Sequence, residues 1–427
     1  MTPQLALASA YLRTRLLRRW LTSRARIARW QQPRLARLMR DATRQAAFYR
    51  TFRDGVLSEL PIVGKREVMA RFEDFNRLGL TAAQIWTMID RGEAPRGYDV
   101  GCSTGTSGNQ GLYLVSDEER FVWLGTIVAK AIPPSLWRQH RVAIVLPRSS
   151  RLYDSANEAK LLKLCFVDLR LSMPSAAETL AAFQPTVVVG PPKALRWFAE
   201  NGVAIAPRAM FSTAEVLDPP DREVIERRFG LGLRQIYMAT EGLFGVSCEH
   251  GTLHLAEDVV HFEFEPVAGS SDLVAPIVTD FTRRTQVMAR YRMNDILRLA
   301  PMRCPCGSAM QAVAEVIGRR DDVFLLPNRD SARSDVLVTP DVLRNAVLAA
   351  DRSIDDFRIR QTGENRIDIV LPVHVNISAG EAARDAVLRV CEGLGARPGV
   401  DVQHEALQPR NDAKLRRVEN CWKPGVP

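Results

Sequence analysis

From about residue 98 to residue 237 the sequence alternates short apolar runs with stretches of helical periodicity. That alternation restricts the fold more than any other feature. The runs 112–115, 142–146, 164–168 and 186–189 are short and almost continuously apolar, and 233–237 is a further strand candidate. Between them, 117–130, 153–163, 175–183, 191–201 and 219–229 read as helices. Buried strands separated by helices predict an α/β domain with a mostly parallel sheet. Residues 252–300 read differently: His261-Phe262-Glu263-Phe264-Glu265 alternates with period two and 273–280 is a second extended run. A β-rich subdomain is expected there. Gly318-Arg319-Arg320-Asp321-Asp322 is a charged break. Beyond it, helices 341–349 and 379–393 and strands 357–361, 367–373 and 400–404 predict a separate small α+β unit. Ahead of residue 98, residues 5–50 read as two helices separated at Pro33, and Lys65 to Phe75 as another.

The segment Ser103-Thr104-Gly105-Thr106-Ser107-Gly108-Asn109-Gln110-Gly111 packs three glycines and four hydroxyl residues into nine positions. Such a loop turns sharply, brings backbone N–H groups close to a ligand, and offers hydroxyl donors to phosphate oxygens. Flanked by apolar runs, it is expected to be a phosphate-holding hairpin between two strands; a polar surface loop is the alternative. Neither the G-x-G-x-x-G nor the G-x-x-x-x-G-K-[S/T] spacing is present.

At 427 residues with 46% hydrophobic content, the chain is long enough for two or three domains. No apolar run approaches the roughly 20 residues of a membrane span. The N-terminus lacks the order of a secretory signal, and a cytoplasmic location is expected. Seven scattered cysteines fit a reducing compartment better than a disulfide framework. The net charge of +9 is concentrated: residues 11–50 hold twelve arginines against Asp41 alone. The rest of the chain is slightly acidic, so no general nucleic-acid stripe exists and no nucleic-acid partner is expected. An arginine-rich helix covering an acidic face, its own or a partner's, accounts for the segment; contact with a membrane surface or RNA is the weaker reading.

Several motifs, taken in order, resemble the adenylate-forming superfamily, and within it the phenylacetate–CoA ligase and coenzyme F390 synthetase-related branch. Ser103 to Gly111 resembles its nucleotide loop. Tyr237-Met238-Ala239-Thr240-Glu241 is similar to its Tyr-Gly-x-Thr/Ser-Glu block, and Tyr291-Arg292-Met293-Asn294-Asp295 to its Tyr-Arg-Thr-x-Asp block. Gly318 to Asp322 matches Gly-Arg-x-Asp-Asp, and Ala413-Lys414-Leu415-Arg416-Arg417-Val418 resembles the Gly-Lys-x-x-Arg-Val ending. Ala46-Ala47-Phe48-Tyr49-Arg50 resembles an early Pro-Phe-Tyr-Arg segment. The resemblance implies an α/β fold, the adenylate-forming ligase fold. Its large domain comprises a helical region (1–97), a nucleotide-binding part (98–250) and a β-rich subdomain (251–318). A mobile α+β lid domain (319–427) follows.

The resemblance also implies roles. Ser103, Thr104, Gly105, Thr106, Ser107 and Gly108 would hold the β- and γ-phosphates of ATP. Glu241 would be the Mg2+ ligand and Thr240 a donor to the α-phosphate. Asp295 would accept both ribose hydroxyls and Arg319 would assist there. Asp321 would mark the hinge, and Lys414 would bridge the carboxylate and the α-phosphate. Thr213 and Ala214, in Phe211-Ser212-Thr213-Ala214-Glu215, are expected at the adenine. Tyr237, Met238, the segment 242–245 and Pro147-Arg148-Ser149-Ser150 are expected around the acyl group. Structural alternatives remain for each: a capping threonine at 240, a turn acid at 295, a solvated linker at 321, a basic tail at 414. Arg416 and Arg417 read as surface charges.

Cys304-Pro305-Cys306-Gly307 offers two thiolates on a tight turn, and Cys248 and His254 could complete a Cys3His set for structural Zn2+. Free cysteines are the alternative. Three departures from the family pattern stand out: Asn109-Gln110-Gly111 at the loop's end, Val323 to Pro327 where an Arg-Gly pair is usual, and Ala413 before the lysine. The second puts the thiol step in question. The leading expectation is an acid–thiol ligase. It would adenylate a small aromatic, hydroxybenzoate-like acid of secondary metabolism and pass it to coenzyme A or a separate carrier protein, with no carrier domain fused. Adenylyl transfer to a cofactor hydroxyl and a non-catalytic carrier-binding scaffold are the alternatives, and a homodimer stays open.

Overall fold

The computed structural model describes residues 3–52, 55–103, 110–132, 140–146, 162–268, 270–329, 335–407 and 415–422. The expected helix 153–163 lies almost wholly outside them, as does Pro147-Arg148-Ser149-Ser150.

Two long helices open the chain, α1 (Pro3–Trp20) and α2 (Arg24–Gln45). The break expected at Pro33 is not there: Pro33 lies inside α2. The chain breaks instead at residues 21–23, where the Ser23 side chain accepts from the Arg26 N–H at 3.3 Å and starts the new helix. Burial of Leu38, Met39 and Ala42 holds α2 together beyond the proline. Next come α3 (Lys65–Ala70), a 3-10 turn at 72–75 in place of the single helix expected to Phe75, and α4 (Ala82–Arg91). Strands β1 (Tyr98–Cys102) and β2 (Leu112–Ser116) form an antiparallel hairpin. Helix α5 (Asp117–Ala131) follows, entered through a capping box between Ser116 and Glu119.

A single twelve-stranded sheet then organises the large domain. Strands β3 (His140–Leu146), β4 (Leu162–Asp168), β5 (Val187–Gly190), β6 (Ala209–Thr213) and β7 (Arg234–Ala239) are parallel. Helices α6 (Met173–Phe183), α7 (Pro192–Glu200) and α8 (Pro219–Phe229) connect β4 through β7. Leu180, Leu195, Phe198 and Ile225 pack on one face of these strands with Val145, Val188 and Met210. The other face joins the main core through Ile144 and Phe211.

At β8 (Gly242–Ser247) the sheet turns antiparallel. It continues through β9 (Leu253–Leu255), β10 (Val260–Pro266), β11 (Leu273–Asp280), β12 (Met288–Arg292), β13 (Asp295–Leu299) and β14 (Ala312–Arg319). The α/β class agrees with expectation, but the sheet is mixed, with parallel pairing confined to β3–β7. The strands of 252–300 extend that same sheet, because β8 pairs with the open edge of β7.

The remaining strands are β15 (Phe324–Leu326), β16 (Val336–Val338), β17 (Arg358–Gly363), β18 (Arg366–Pro372), β19 (Gly399–Glu405) and β20 (Val418–Asn420). Helices α9 (Pro340–Ala350) and α10 (Ile377–Gly393) pack with them around Phe324, Phe357, Ile369 and Val387, a core of their own.

Candidate active site

A cavity of about 180 Å³ opens beyond the C-terminal ends of β6 and β7, where the small C-terminal unit meets the large sheet. Open α/β sheets hold their ligands at such strand ends, because loops diverge there. Thr213 and Ala214 line one side, Tyr237 and Met238 a second, and Asp295 and Arg319 a third; Leu415 to Val418 close it from the small unit. The Thr213 hydroxyl donates to the Ile236 carbonyl at 3.0 Å. Ala214 has φ +71, a strained position for a residue with a side chain, held at the cavity wall. Gly318 has φ +149, and a Cβ there would lie 3.1 Å from Pro340. Glycine therefore lets α9 close against the end of β14.

Tyr237 donates from its hydroxyl to Asp295 Oδ2 at 2.7 Å. Burial, reinforced by the Asp295 charge, pushes the phenol well above its ordinary pKa, so it stays a donor and fixes the carboxylate at the start of β13. The Tyr237 ring is held 5.5 Å from that of Phe244, which belongs to the main core. Phe244 therefore packs in the core.

Thr240 and Glu241 form the two-residue turn between β7 and β8, where the sheet changes polarity. The buried Arg283 clamps this turn, donating to the Glu241 carbonyl at 2.6 Å and to the Thr240 carbonyl at 3.4 Å. Tyr291 donates to Glu241 Oε1 at 3.2 Å, and its own pKa is pushed well up by burial and then by the Glu241 charge.

The glycine-rich segment begins and ends where expected. Ser103 N–H donates to the Gly111 carbonyl at 2.7 Å, and Gly111 N–H to Ser103 Oγ at 2.8 Å. Thr104, Gly105, Thr106, Ser107 and Gly108 lie outside the described residues, as does Lys414. Leu415, next in the chain, donates its N–H to Glu215 Oε1 at 2.9 Å beside the cavity. Asp321 accepts from Asn294 Nδ2 at 2.8 Å, which ties the 3-10 turn Arg320–Asp322 to the strand pair carrying Asp295.

Sequence reasoning missed Lys65. A Cβ built at Gly111 would lie 3.6 Å from Lys65 Nζ and 3.8 Å from Glu241 Oε1, so the loop base, the lysine and the acid converge. Burial lowers the Lys65 pKa; Glu241 works against that, Arg319 adds to it, and Asp321 opposes it. The signal was present: a lysine at the first position of a helix, where the dipole disfavours cations, just after the extended Leu60-Pro61-Ile62-Val63.

Arg416 and Arg417 are not surface charges. Arg417 is 10% exposed and pairs with Asp218, with Asp221 at 3.0 Å and with Asp356 at 3.1 Å. Arg416 pairs with Asp322. Asp218 and Asp221, at the start of α8, are buried and need cations, which the returning chain supplies.

No family model matches the chain, and no curated protein matches it. Solved structures do. A 2-hydroxyisobutyryl-CoA ligase in its postadenylation state aligns with TM-score 0.69 and 18% identity over 94% of this chain and 91% of that one. The same ligase in its thioesterification state aligns over the same shares with TM-score 0.55. ATP-bound MatB from Rhodopseudomonas palustris aligns with TM-score 0.52 and 11% identity over 74% of this chain and 66% of that one. The fold is the adenylate-forming ligase fold.

Within this adenylate-forming ligase fold, the four expected zinc-ligand residues come together. Their donor atoms all lie within 4.8 Å of one another. Cys248 Sγ is 3.7 Å from Cys304 Sγ, and Cys306 Sγ is 3.3 Å from His254 Nε2. Tetrahedral zinc with Zn–S near 2.3 Å would separate two sulfurs by about 3.8 Å, so the set fits the ion. His254 Nδ1 lies 3.2 Å from the Met310 carbonyl, a contact that orients the ring with Nε2 toward the thiols. Cys102 packs against the main core beside the loop.

Proposed function

We propose that this chain activates a small carboxylic acid with ATP, forming acyl-AMP and pyrophosphate, and then passes the acyl group to the thiol of coenzyme A or a separate carrier protein. The observation that carries this reading is the convergence of Glu241, Lys65 and the base of the 103–111 hairpin beside a cavity walled by Asp295, Tyr237 and Arg319. Attack by a carboxylate oxygen on the α-phosphorus needs positioning and charge stabilisation, since the nucleophile is already ionised at neutral pH. Asp295, fixed by Tyr237, accepts from the ribose hydroxyls. Thr240 and Arg319 orient the α-phosphate and ribose, and Thr213 and Ala214 face the adenine. Ser103 to Gly108 hold the outer phosphates, with Lys65 as a cation at the same end. Glu241 would hold Mg2+, which supplies charge neutralisation to the phosphates when bound. Lys414 would place its ammonium between carboxylate and phosphate, and Asp321 would mark the hinge.

The aromatic, hydroxybenzoate-like preference and the phenylacetate–CoA ligase-like branch rest on the motif resemblance. The stronger match to a postadenylation arrangement supports a small unit poised over the adenylation site. A structural Zn2+ at Cys248, His254, Cys304 and Cys306 is part of the same proposal.

The test is pyrophosphate release with magnesium-ATP across aryl, hydroxyaryl and aliphatic acids. Acid-dependent release that Glu241→Ala and Lys414→Ala both abolish is expected. Absence of release with every acid, from folded protein that binds ATP, would overturn the reading in favour of adenylyl transfer to a larger hydroxyl acceptor.

A further inference from the structure

Helix α1 is built inside out. Its buried face carries Ala6, Ala10, Thr14 and Leu17. Gly125 on α5 permits the close approach, since a Cβ there would lie 2.4 Å from the Leu7 carbonyl oxygen. Three other leucines point the other way: Leu5, Leu12 and Leu16 are 59%, 56% and 66% exposed, at i, i+7 and i+11 on one stripe. They form an apolar groove that shares Ser9, Arg13 and Trp30 with a second cavity of about 390 Å³ between α1 and α2.

That second cavity is cationic. Arg13 and Arg34 are half-buried in it, and Arg37, Arg77 and Arg284 stand exposed around it. Arg13 Nη2 is buried with no hydrogen-bond partner in the protein. Burial lowers the Arg34 pKa to about 10, with the charges of Arg13 and Arg37 adding to the fall. Four acids also line the cavity. Glu119 accepts from Ser116 and from the Thr285 N–H and hydroxyl, and Asp258 pairs with Lys130 at 2.7 Å. Glu119 keeps its charge, because its donors are neutral, so Asp41, Glu118 and Glu119 stand against five guanidiniums and the cavity stays net cationic.

We infer that this face docks on a bilayer surface bearing anionic phospholipid, with a headgroup phosphate in the arginine cavity and the leucine stripe set into the acyl boundary. The continuity of a cationic cavity with an apolar groove suits an amphiphile whose anionic head and apolar tail are covalently joined. A second copy of the chain is disfavoured, because a two-fold contact would set the arginine cluster against itself. No helix among the described residues is long and apolar enough to cross a membrane. The contact proposed is with the surface alone, and it is independent of the adenylation reading.

The test is flotation of the full chain with vesicles of phosphatidylcholine alone and with added phosphatidylglycerol. We expect at least about tenfold stronger partition to the anionic vesicles, falling as salt rises. Leu12→Ser with Leu16→Ser, and separately Arg37→Gln with Arg77→Gln, both exposed at the cavity, should each reduce partition about tenfold with melting temperature and adenylation unchanged. Equal partition to both vesicles, none to either, or indifference to the leucine pair would overturn the inference. Inorganic phosphate that raises the melting temperature of wild type but not of Arg13→Gln, without vesicle binding, would assign the cavity to a soluble phosphate and overturn the lipid source. Binding to polyglutamate without vesicle binding would likewise overturn it in favour of an acidic protein.

Discussion

Two tyrosines hold the two acids of the candidate site, and each can be tested by removing one oxygen. Tyr237→Phe deletes the 2.7 Å bond to Asp295 and leaves the ring against Phe244. A hydrogen bond to a charged group contributes about 1.5–3 kcal/mol. The substitution should therefore raise the KM for ATP about tenfold or more, with kcat changed far less; an unchanged KM would remove Asp295 from nucleotide binding. Lys65 makes a sharper case. Burial depresses its pKa and Glu241 only partly restores it, so its ammonium loses the proton at lower pH than an ordinary lysine. Pyrophosphate release should then decline with rising pH before the usual lysine range near ~10.4 is reached. Lys65→Arg should push that alkaline limb upward, and Lys65→Met should lower the rate across the whole profile. A limb that stays in place in Lys65→Arg would assign it to another group.

Elements test the site's supports. If the Cys248, His254, Cys304 and Cys306 cluster binds zinc, it staples the turn after β8 and strand β9 to the loop between β13 and β14. Cys304→Ser should lose about one equivalent of metal by elemental analysis and melt several degrees lower; equal melting of metal-free and wild-type protein would make the cluster incidental. Glu265 on β10 receives Arg292 at 2.8 Å and Arg320 at 2.7 Å, and their hydrogen bonds hold its carboxyl below the usual range. Because the folded pKa is depressed, the stability it contributes is present above the ordinary glutamate value and fades as pH falls through the folded one. Glu265→Gln should melt below wild type at neutral pH, and the two curves should converge in acid. At this scale the sequence was most legible where physics is local. The strands at 112, 142 and 164 and the helices at 117 and 219 announced themselves by periodicity, and the hairpin of β1 and β2 by the glycine-rich segment between apolar runs. Pro33 misled because a buried face outweighed a missing N–H, while the quieter Ser23 cap set the break. The pairings of Arg416 and Arg417 were illegible for another reason: Asp322, partner of the first, and Asp218 and Asp221, partners of the second, lie far away in sequence, and only the fold brings them in.

At the scale of the whole molecule, a set of ion pairs fastens the small unit over the cavity. Arg417 lies among Asp218, Asp221 and Asp356, Arg344 reaches Asp218 at 3.1 Å, and Arg298 reaches Asp341 at 3.0 Å. Burial raises the Asp218 carboxyl, and Arg417 and then Arg344 pull it back. An apolar seam would resist rotation through its whole area, whereas a seam of ion pairs can reopen into water, which resolvates both partners. If the small unit turns about Asp321 between half-reactions, this seam must part. The described arrangement would then be the one that serves adenylation. Arg417→Gln leaves two buried carboxylates short of a cation, a loss of about 3–5 kcal/mol to the closed arrangement by the cost of breaking such pairs. Acid-dependent pyrophosphate release should therefore fall by more than about a hundredfold. Thioester formation from acyl-AMP supplied ready-made should fall far less, because that step would use the parted seam. Equal losses in both half-reactions would mean that the seam is structural and does not open, and the hinge at Asp321 would lose its support.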